Sequence, residues 1–235
     1  MTETPRSESD HIAETREKLL EAALMHVVFD GWSDKTFDMA VADSGVEPGL
    51  AKLACPRGAL DLAIAFHRTK DAALADALAN ELPAGLGFTA KVTWAVRKRL
   101  ELVEFDKEAV RRGATLFALP IYASDGARLI WETADTIWTG VGDTSTDLNW
   151  YTKRATLSGV YSATVLYWLG DESEGHEATW AFLDRRIEDV MRIEKAKAKF
   201  RGSGVGKAWE AGPAKILSKI SKPGSADRPL PGSPA

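Results

Sequence analysis

The sequence predicts an all-α protein, and three observations support that fold class. Apolar residues recur at three- and four-residue steps from Ile12 to Phe200, which is the spacing of one face of a helix. No segment shows a convincing alternation of apolar and polar residues, and no Asn-Gly hairpin turn occurs. The chain has 235 residues, of which 45% are hydrophobic, so one or two modest domains can form a real core. We therefore expect a bundle of packed helices.

The first four predicted helices have the layout of a helix-turn-helix module. They are long, short, short and long, and they cover residues 12–30, the region near 36–42, a piece ending at 53, and 57–82. Gly31 ends the first helix, a turn at residues 44–49 separates the two short ones, and Pro83 stops the fourth. We assign residues 1–10 to a disordered start and residues 11–82 to this helix-turn-helix-like part.

The short helices lack the charge that DNA binding needs. Residues 31–56 carry four acidic and two basic side chains, a net charge of −2. Duplex DNA presents one negative charge per about 1.7 Å, and phosphate neutralisation dominates the affinity of proteins for it. The would-be recognition segment, residues 47–55, offers one lysine and no Arg, Asn or Gln to read bases. The sequence therefore predicts a helix-turn-helix skeleton that binds no nucleic acid.

The second part of the chain, residues 86–200, is predicted to be a ligand-binding and dimerisation domain. Its predicted helices cover residues 89–103, 105–119, 123–138 and 147–169, and a last one follows an acidic turn at 171–174. Within the first of them, Arg97–Arg99 form a basic face. We interpret this face as solvated rather than as an anion site.

Two tryptophans in the predicted helix 123–138 raise the question of a cavity. Trp131 and Trp138 are seven residues apart and share a face, with Ala134 between them. Three interpretations remain open: ordinary core, the wall of a lipid pocket, and an exposed patch. Bulky rings combined with small residues favour the pocket, because they leave room that close packing would otherwise fill.

The helix predicted for residues 147–169 is central to the bundle or to a dimer. Polar residues at 143–147 can accept hydrogen bonds from its first turn, and Gly170 is placed to end it in the left-handed conformation. Small side chains form a seam along it, at Ala155, Ser158, Gly159, Ser162 and Ala163. Such a seam lets a second helix approach closely, and with the following helix it predicts a homodimer. A compact monomeric bundle is the alternative.

The sequence contains no recognisable active site. The four histidines lie in separate segments, the chain lacks the two Glu-x-x-His motifs of a di-iron bundle, and no phosphate-binding glycine loop or serine nucleophile elbow occurs. We interpret His26 and His67 as structural imidazoles. Cys55 is the only cysteine, which excludes an internal disulfide and a cysteine zinc site. We expect no enzyme activity, no metal and no cofactor.

The C-terminal tail places positive charge on an amphipathic pattern. Residues 195–222 hold eight basic side chains and one acidic, a net charge of +7, whereas the whole chain carries −4. Residues 205–222 put apolar side chains on one helix face and lysines opposite, as in helices that lie on anionic membranes. The predicted membrane-binding residues are Lys207, Trp209, Lys215, Ile216, Leu217, Lys219 and Ile220. A loose solubilising tail is the alternative. Residues 223–235, rich in Pro, Gly and Ser, are predicted to be disordered.

The location that the sequence predicts is cytoplasmic. No apolar run approaches the roughly 20 residues that cross a bilayer. Residues 1–10 are acidic and have no apolar core, so they fit neither a signal nor a transit peptide. With the basic tail, these features predict a protein peripheral on the inner membrane of a bacterium.

Three stretches of the sequence resemble a known family. They are Asn149-Trp-Tyr-Thr-Lys-Arg154, residues 157–164 and residues 179–187. In this order they are similar to ubiquinone-biosynthesis accessory proteins, which have a TetR-regulator-like helical fold, and the resemblance is most specific over residues 143–192. It implies a non-catalytic protein that binds an isoprenoid lipid or ubiquinone intermediate and presents it to the di-iron demethoxyubiquinone hydroxylase. A ligand-responsive TetR-type transcriptional regulator is the alternative function.

Two sets of residues are expected to carry this function. The expected lipid-binding residues are Phe117, Trp131, Ala134, Trp138, Leu157 and Tyr161. The expected partner-binding residues are Asp147, Asn149, Trp150, Tyr151, Lys153 and Arg154. Trp150 and Tyr151 are about 100° apart on a helix, so one of them can anchor a partner at the surface. A capped helix start with one buried tryptophan is the alternative.

Overall fold

The computed structural model describes residues 7–146 and 148–201 of the chain. Over these residues it contains α-helices and two short 3₁₀ turns, and no strand. The helices are α1 Glu8–Asp30, α2 Asp34–Ser44, α3 Pro48–Ala54, α4 Ala59–Asn80, α5 Phe88–Glu101, α6 Lys107–Phe117, α7 Ala123–Gly140, α8 Leu148–Leu169 and α9 Glu177–Arg201. The predicted all-α fold class is confirmed. None of the helices in the described part of the chain has the length and hydrophobicity to cross a membrane.

The ends of the first helices follow from local chemistry. Ser7 caps α1, because its hydroxyl accepts from the Asp10 N–H while the Asp10 carboxylate accepts from the Ser7 N–H. Residues 8–10, assigned from the sequence to the disordered start, are therefore helical. α2 ends at Gly45, whose φ of 66° and ψ of 14° are left-handed values that favour glycine.

The chain divides into two compact units. The first contains residues 1–80 and 98–132, and the second contains residues 81–97 and 133–235. The sequence placed residues 98–132 with the second part. Long-range polar contacts tie them to the first: Trp32 Nε1 donates to the Ala109 carbonyl at 3.1 Å, and Lys70 Nζ donates to Asp106 at 2.8 Å.

The core of the first unit is apolar but contains one buried ion pair. Leu19, Ala23 and Val27 of α1 are fully buried. Arg99 is 2% exposed, and its Nε donates to Asp71 Oδ1 at 2.7 Å. The expectation of a solvated basic face is therefore wrong at Arg99, because its charge is neutralised inside the protein by a carboxylate 28 residues away in the sequence.

The second unit is built on α8 and α9. Leu157, Tyr161 and Trp168 are the buried bulk of α8, and Leu183 of α9 has no exposed surface. α8 ends before Gly170, but the positive φ expected there is not observed, so the predicted left-handed termination is wrong. The Gly170 and Asp171 N–H groups instead bond to the nearby carbonyls of residues 167 and 168, a tight turn that any residue can adopt.

Candidate ligand cavity and partner-binding face

A cavity of about 290 Å³ lies within the second unit. Its lining combines aromatic, aliphatic and a few polar side chains, namely Phe88, Thr89, Val92, Trp138, Asn149, Thr152, Lys153, Thr156, Leu157, Val160, Ile187, Val190 and Met191. Segments of α5, α7, α8 and α9 supply these side chains. A mostly apolar lining with a small number of polar groups is the usual character of a small-molecule site.

Two stacked rings and a lysine form one part of the lining. The Phe88 and Trp138 rings are 5.4 Å apart between centroids and inclined by 27°. Lys153 Nζ lies 5.4 Å from the centroid of the Trp138 ring and 5.8 Å from that of Phe88, within cation–π distance of both. Trp138 Nε1 is buried and has no hydrogen-bond acceptor among the described residues. This region therefore offers hydrogen-bond donors beside flat aromatic surface.

The rest of the lining is largely aliphatic. Val92, Leu157 and Val160 are 3% to 7% exposed, so their side chains are held firmly by the core behind them. Ile187, Val190 and Met191 of α9 complete this apolar part. An occupant therefore meets hydrocarbon at one part of the cavity and polar donors at another.

The structure brings together only some of the expected lipid-binding residues. Trp138 and Leu157 line the cavity. Ala134 and Tyr161 are buried in the same unit but do not belong to its lining. Phe117 and Trp131 lie in the first unit, where Phe117 packs against a core cluster formed by Leu60, Ile64 and Leu129.

Two features of this cavity were missed by sequence reasoning. Phe88 follows the glycine-rich break at residues 85–87 and precedes the predicted helix 89–103, whereas it is the first residue of α5. Ile187 and Val190 belong to the last predicted helix, which was expected to contribute to a homodimer. The one signal that could have drawn attention to Phe88 is its place as an aromatic residue between the glycine-rich break and the start of the predicted helix.

A buried carboxylate lies next to the cavity. Asp143, whose side chain is 2% exposed, accepts from Lys153 Nζ at 2.7 Å and from Arg154 Nη1 at 3.2 Å. Desolvation raises the pKa of Asp143, but hydrogen bonds from Lys153, Ser145 and Arg154 outweigh it and lower that pKa to about 2. Asp143 was expected to cap the helix start, and it instead serves as counter-ion to two cations.

The predicted partner-binding residues lie at the start of α8. Asn149 is exposed, while Trp150 and Tyr151 are half-buried with their rings edge-to-face at 4.8 Å. Arg154 is 2% exposed, and its guanidinium lies 4.1 Å over the Trp150 ring while Nε donates to Asp135. Arg154 therefore supports Trp150 from inside rather than presenting its charge at the surface. Asp147 lies outside the described residues.

One face of α8 has no covering element in the described unit. Ala155 and Gly159 are exposed, and a Cβ placed on Gly159 would meet no atom within 4 Å. Leu166 is 65% exposed further along the helix, and Tyr167 stacks on Phe182 of α9 at 4.5 Å. The Ala155 and Gly159 part of the predicted small-residue seam therefore faces outwards.

The basic and histidine residues noted in the sequence are placed in structural contacts. Arg97 lies over the Trp180 ring with its guanidinium carbon 4.7 Å from the centroid. His26 Nε2 lies 2.6 Å from Asp43 Oδ2 and joins α1 to α2. Across residues 7–146 and 148–201, no group of three or more His, Cys, Asp or Glu side chains is arranged to hold a metal ion.

The chain shares sequence with COQ9 proteins. A sequence model of the COQ9 family matches residues 123–194. The ubiquinone biosynthesis protein COQ9, mitochondrial, of Drosophila melanogaster is 31% identical over 194 residues, covering 80% of this chain and 58% of that protein. The proteins of the same name from Rattus norvegicus and Homo sapiens are 30% and 28% identical and are covered to 62% and 61%. The chain thus spans about three fifths of the length of these relatives.

The fold is shared with a solved regulator structure. The TetR transcriptional regulator from Nitrosomonas europaea ATCC 19718 superposes with a TM-score of 0.61, over 74% of this chain and 97% of the regulator. The sequences are only 15% identical, so the likeness concerns the fold. The TetR-like fold predicted from the sequence is confirmed, and the chain is similar in sequence to the COQ9 family of ubiquinone biosynthesis proteins, as predicted.

Proposed function

We propose that the chain is a non-catalytic accessory protein of ubiquinone biosynthesis that binds an isoprenoid quinone intermediate and presents it to a di-iron hydroxylase. The observation that carries this proposal is the cavity of the second unit, which combines hydrogen-bond donors with aliphatic surface. Relatives that match 80% of the chain are named as ubiquinone biosynthesis proteins. The two together favour a quinone over other apolar ligands.

The lining suits a quinone head by its chemistry. A quinone carbonyl accepts hydrogen bonds and carries no donor, so it complements Trp138 Nε1 and the Lys153 ammonium group. Its flat ring can lie against Trp138 and Phe88, and prenyl carbon can pack on Leu157 and Val190. At about 290 Å³ the cavity is near the lower end of small-molecule sites, about 300 Å³, so it is sized for the head and the first prenyl carbons.

The ligand is tested by mass spectrometry of organic extracts from the purified protein. We expect a prenylated quinone or quinone precursor in the extract. The variant Trp138→Leu removes the indole donor and should reduce the recovered lipid about tenfold, whereas Trp94→Leu, a half-buried tryptophan outside the cavity lining, should not. Extracts with no isoprenoid lipid in the wild-type protein contradict the proposal.

The partner-binding face is assigned to Asn149, Trp150 and Tyr151. A half-buried aromatic pair held from behind by Arg154 is a rigid anchor, and truncating a central anchor typically costs about 2 kcal/mol or more of binding free energy. We expect Trp150→Ala to weaken pull-down of the di-iron hydroxylase at least about thirtyfold, because 1.4 kcal/mol corresponds to tenfold. Phe105→Ala, at an exposed aromatic of the first unit, is the matched control. Equal binding by both variants argues against this face.

A homodimer is assigned to the outward face of α8. Ala155 and Gly159 present little side-chain volume, so α8 of a second copy can approach closely, with Leu166 adding apolar contact. We expect sedimentation to report a dimer, and Gly159→Arg to convert it to a monomer of unchanged helicity. A monomeric wild-type protein contradicts the assignment.

Attachment to an anionic membrane is assigned to residues 205–222, which lie outside the described residues. Their pattern of lysines opposite an apolar face supports peripheral binding, at about 1 kcal/mol per lysine near anionic lipid. Co-sedimentation with vesicles containing phosphatidylglycerol should retain the full chain and lose a form truncated after residue 200. Equal retention of the two forms contradicts a role for the tail.

The second candidate function is a ligand-responsive transcriptional regulator, which the shared TetR fold favours. Against it, α3 is capped by Glu47, whose carboxylate accepts from the Leu50 N–H at 2.9 Å. Hydrogen bonds from the Gly49 and Leu50 N–H groups lower the pKa of Glu47, so a negative charge occupies the helix start that would face phosphates. Specific DNA binding at physiological salt in a mobility-shift assay would favour the regulator instead.

A further inference from the structure

One carboxylate of the second unit is hydrogen-bonded to two cationic side chains. One of these side chains lines the cavity, and the other lies over the Trp150 ring. Asp143 Oδ1 accepts from Lys153 Nζ, and its Oδ2 accepts from Arg154 Nη1. Because the Asp143 side chain is 2% exposed, water cannot easily replace either partner. A displacement of one cation therefore changes the charge balance that the other one experiences.

Lys153 connects this carboxylate to the cavity. It belongs to the lining, and its Nζ is within 6 Å of the centroids of the Trp138 and Phe88 rings. An ammonium group has three N–H donors, and two of them go to Asp143 and Ser145, each at 2.7 Å. Among the described residues no acceptor takes the third donor. An oxygen atom in the cavity can therefore accept this third donor and draw the Lys153 ammonium group away from Asp143.

Arg154 connects the same carboxylate to the aromatic pair at the start of α8. Its guanidinium lies over the Trp150 ring at 4.1 Å, and Nη1 also donates to the Trp150 carbonyl at 3.2 Å. The Trp150 ring in turn contacts Tyr151 edge-to-face. A change in the strength of the Asp143–Arg154 hydrogen bond therefore alters how firmly Arg154 supports the Trp150–Tyr151 pair.

We propose that Asp143 couples occupancy of the cavity to the Trp150–Tyr151 face, through Lys153 on one side and Arg154 on the other. The proposal rests on the proposed function, which supplies a quinone as the occupant. A quinone oxygen that accepts from Lys153 weakens the Lys153–Asp143 bond. Asp143 then holds Arg154 more strongly and shifts its guanidinium relative to Trp150. By linkage, a protein that binds this face changes the affinity for quinone by the same factor.

Asp143 acts here as a positioning residue, and the sign of its effect on affinity distinguishes this role from a merely structural one. Titration of a short-chain ubiquinone should show Asp143→Asn binding about threefold more tightly, because Lys153 is released towards the ligand. Lys153→Met should bind about tenfold more weakly. Lys91→Met, one turn from Phe88 on α5 and outside the lining, is the matched control and should bind unchanged.

The coupling itself is measured by hydrogen exchange of residues 143–152 with and without the short-chain ubiquinone. In the wild-type protein the quinone should change exchange in this segment by about twofold or more. Asp143→Asn should bind quinone without that change, because the shared counter-charge is lost. Ser145→Ala keeps Asp143 but removes the second acceptor of Lys153, so it should bind about twofold more tightly and keep the exchange response. If Asp143→Asn does not fold, the Ser145→Ala variant still tests the coupling.

The outcomes separate the coupling from the proposed function. A wild-type protein that does not bind the quinone overturns both. Quinone binding that leaves exchange at residues 143–152 unchanged overturns the coupling alone. Weaker quinone binding by Ser145→Ala also overturns the coupling, because loss of an acceptor would then not release Lys153 towards the ligand.

Discussion

The two units each bury an arginine–aspartate pair, and the two pairs differ in what surrounds them. In the first unit the side chains of Arg99 and Asp71 are 3% and 9% exposed, and Arg99 also donates to the His67 carbonyl. In the second unit Asp143 and Arg154 are 2% and 3% exposed, but the cluster continues to the cavity through Lys153, which is 36% exposed. The Arg99–Asp71 pair is buried in the core, whereas the Arg154–Asp143 pair is connected to the cavity through Lys153.

This difference shows that burial of charge alone does not indicate a functional site. Both pairs compensate the cost of desolvation in the same way, by charge-assisted hydrogen bonds. The second pair contacts Lys153, which lines the cavity, and Trp150, which is half-buried at the start of α8. We therefore treat Arg99 as a stabilising residue and Asp143 as a functional one, and the following predictions test that distinction.

The largest effect is expected from breaking the Arg99–Asp71 pair. Arg99→Ala leaves the Asp71 carboxylate buried without its cation and should destabilise the protein by about 3–5 kcal/mol. Denaturant unfolding measures this, and Arg111→Ala, at an exposed arginine of the same unit, should change stability by less than about 1 kcal/mol. If Arg99→Ala were as stable as the wild type, the pair would not be part of the folded core.

At mildly acidic pH, the dependence of stability on pH should come from His67, which lies beside the Arg99–Asp71 pair. Burial and the neighbouring Arg99 charge lower the pKa of His67 to about 3. Between that value and about pH 6.5 the unfolded chain binds the proton and the folded chain does not, so stability falls as the pH falls. We expect a loss of about 2 kcal/mol between about pH 6.5 and pH 5, since each pH unit is worth about 1.4 kcal/mol.

Histidine variants identify the source of that loss. His67→Gln should unfold with a smaller dependence on pH over this range, as measured by urea titration at each pH. His11→Gln, at an exposed histidine, should keep the full dependence. A wild-type protein whose stability is flat from pH 6.5 to 5 would show that the imidazole is not held neutral by burial.

Asp143 should make stability depend on pH only at lower values. Its folded pKa of about 2 is below the value near 3.8 of an unperturbed aspartate, so its contribution is complete above about pH 4 and is lost as the pH falls towards 2. The contribution is on the order of 2 kcal/mol. Comparing urea titrations of wild type and Asp143→Asn at about pH 4 and pH 2.5 measures it, and parallel losses in both proteins would contradict this assignment.

The smallest expected effects contrast a packed glycine with an open one. A Cβ at Gly126 of α7 would lie 2.7 Å from Phe117 Cβ, so Gly126→Ala forces the two apart and should cost about 1–3 kcal/mol. Gly159→Ala on α8 meets open space and should stabilise the monomeric fold by about 0.5–1 kcal/mol through helix propensity. Thermal unfolding of both variants tests the contrast, and equal destabilisation would contradict it.

The helices could be read from the sequence because they depend on local pattern. Periodicity shows which face of a helix is apolar, but not which helix lies against it. Phe88, Trp138, Lys153 and Val190 come from four different helices, so the cavity is a tertiary feature that spacing does not reveal. Arg99 and Arg154 look like surface charges because their counter-ions are 28 and 11 residues away. Phe117 was expected to bind the lipid, yet it packs in the first unit.

The most direct test of the account is calorimetric titration of a short-chain ubiquinone into the wild-type protein and the variant Met191→Trp. Met191 lines the cavity and is 38% exposed, so a larger ring there can fill the space without disturbing the core. Leu53→Trp, at an exposed leucine of α3, is the control. We predict saturable binding by the wild type and the control, and at least about tenfold weaker binding by Met191→Trp. Absence of binding in the wild type, or equal affinity in all three proteins, would contradict the assignment of this cavity to a quinone.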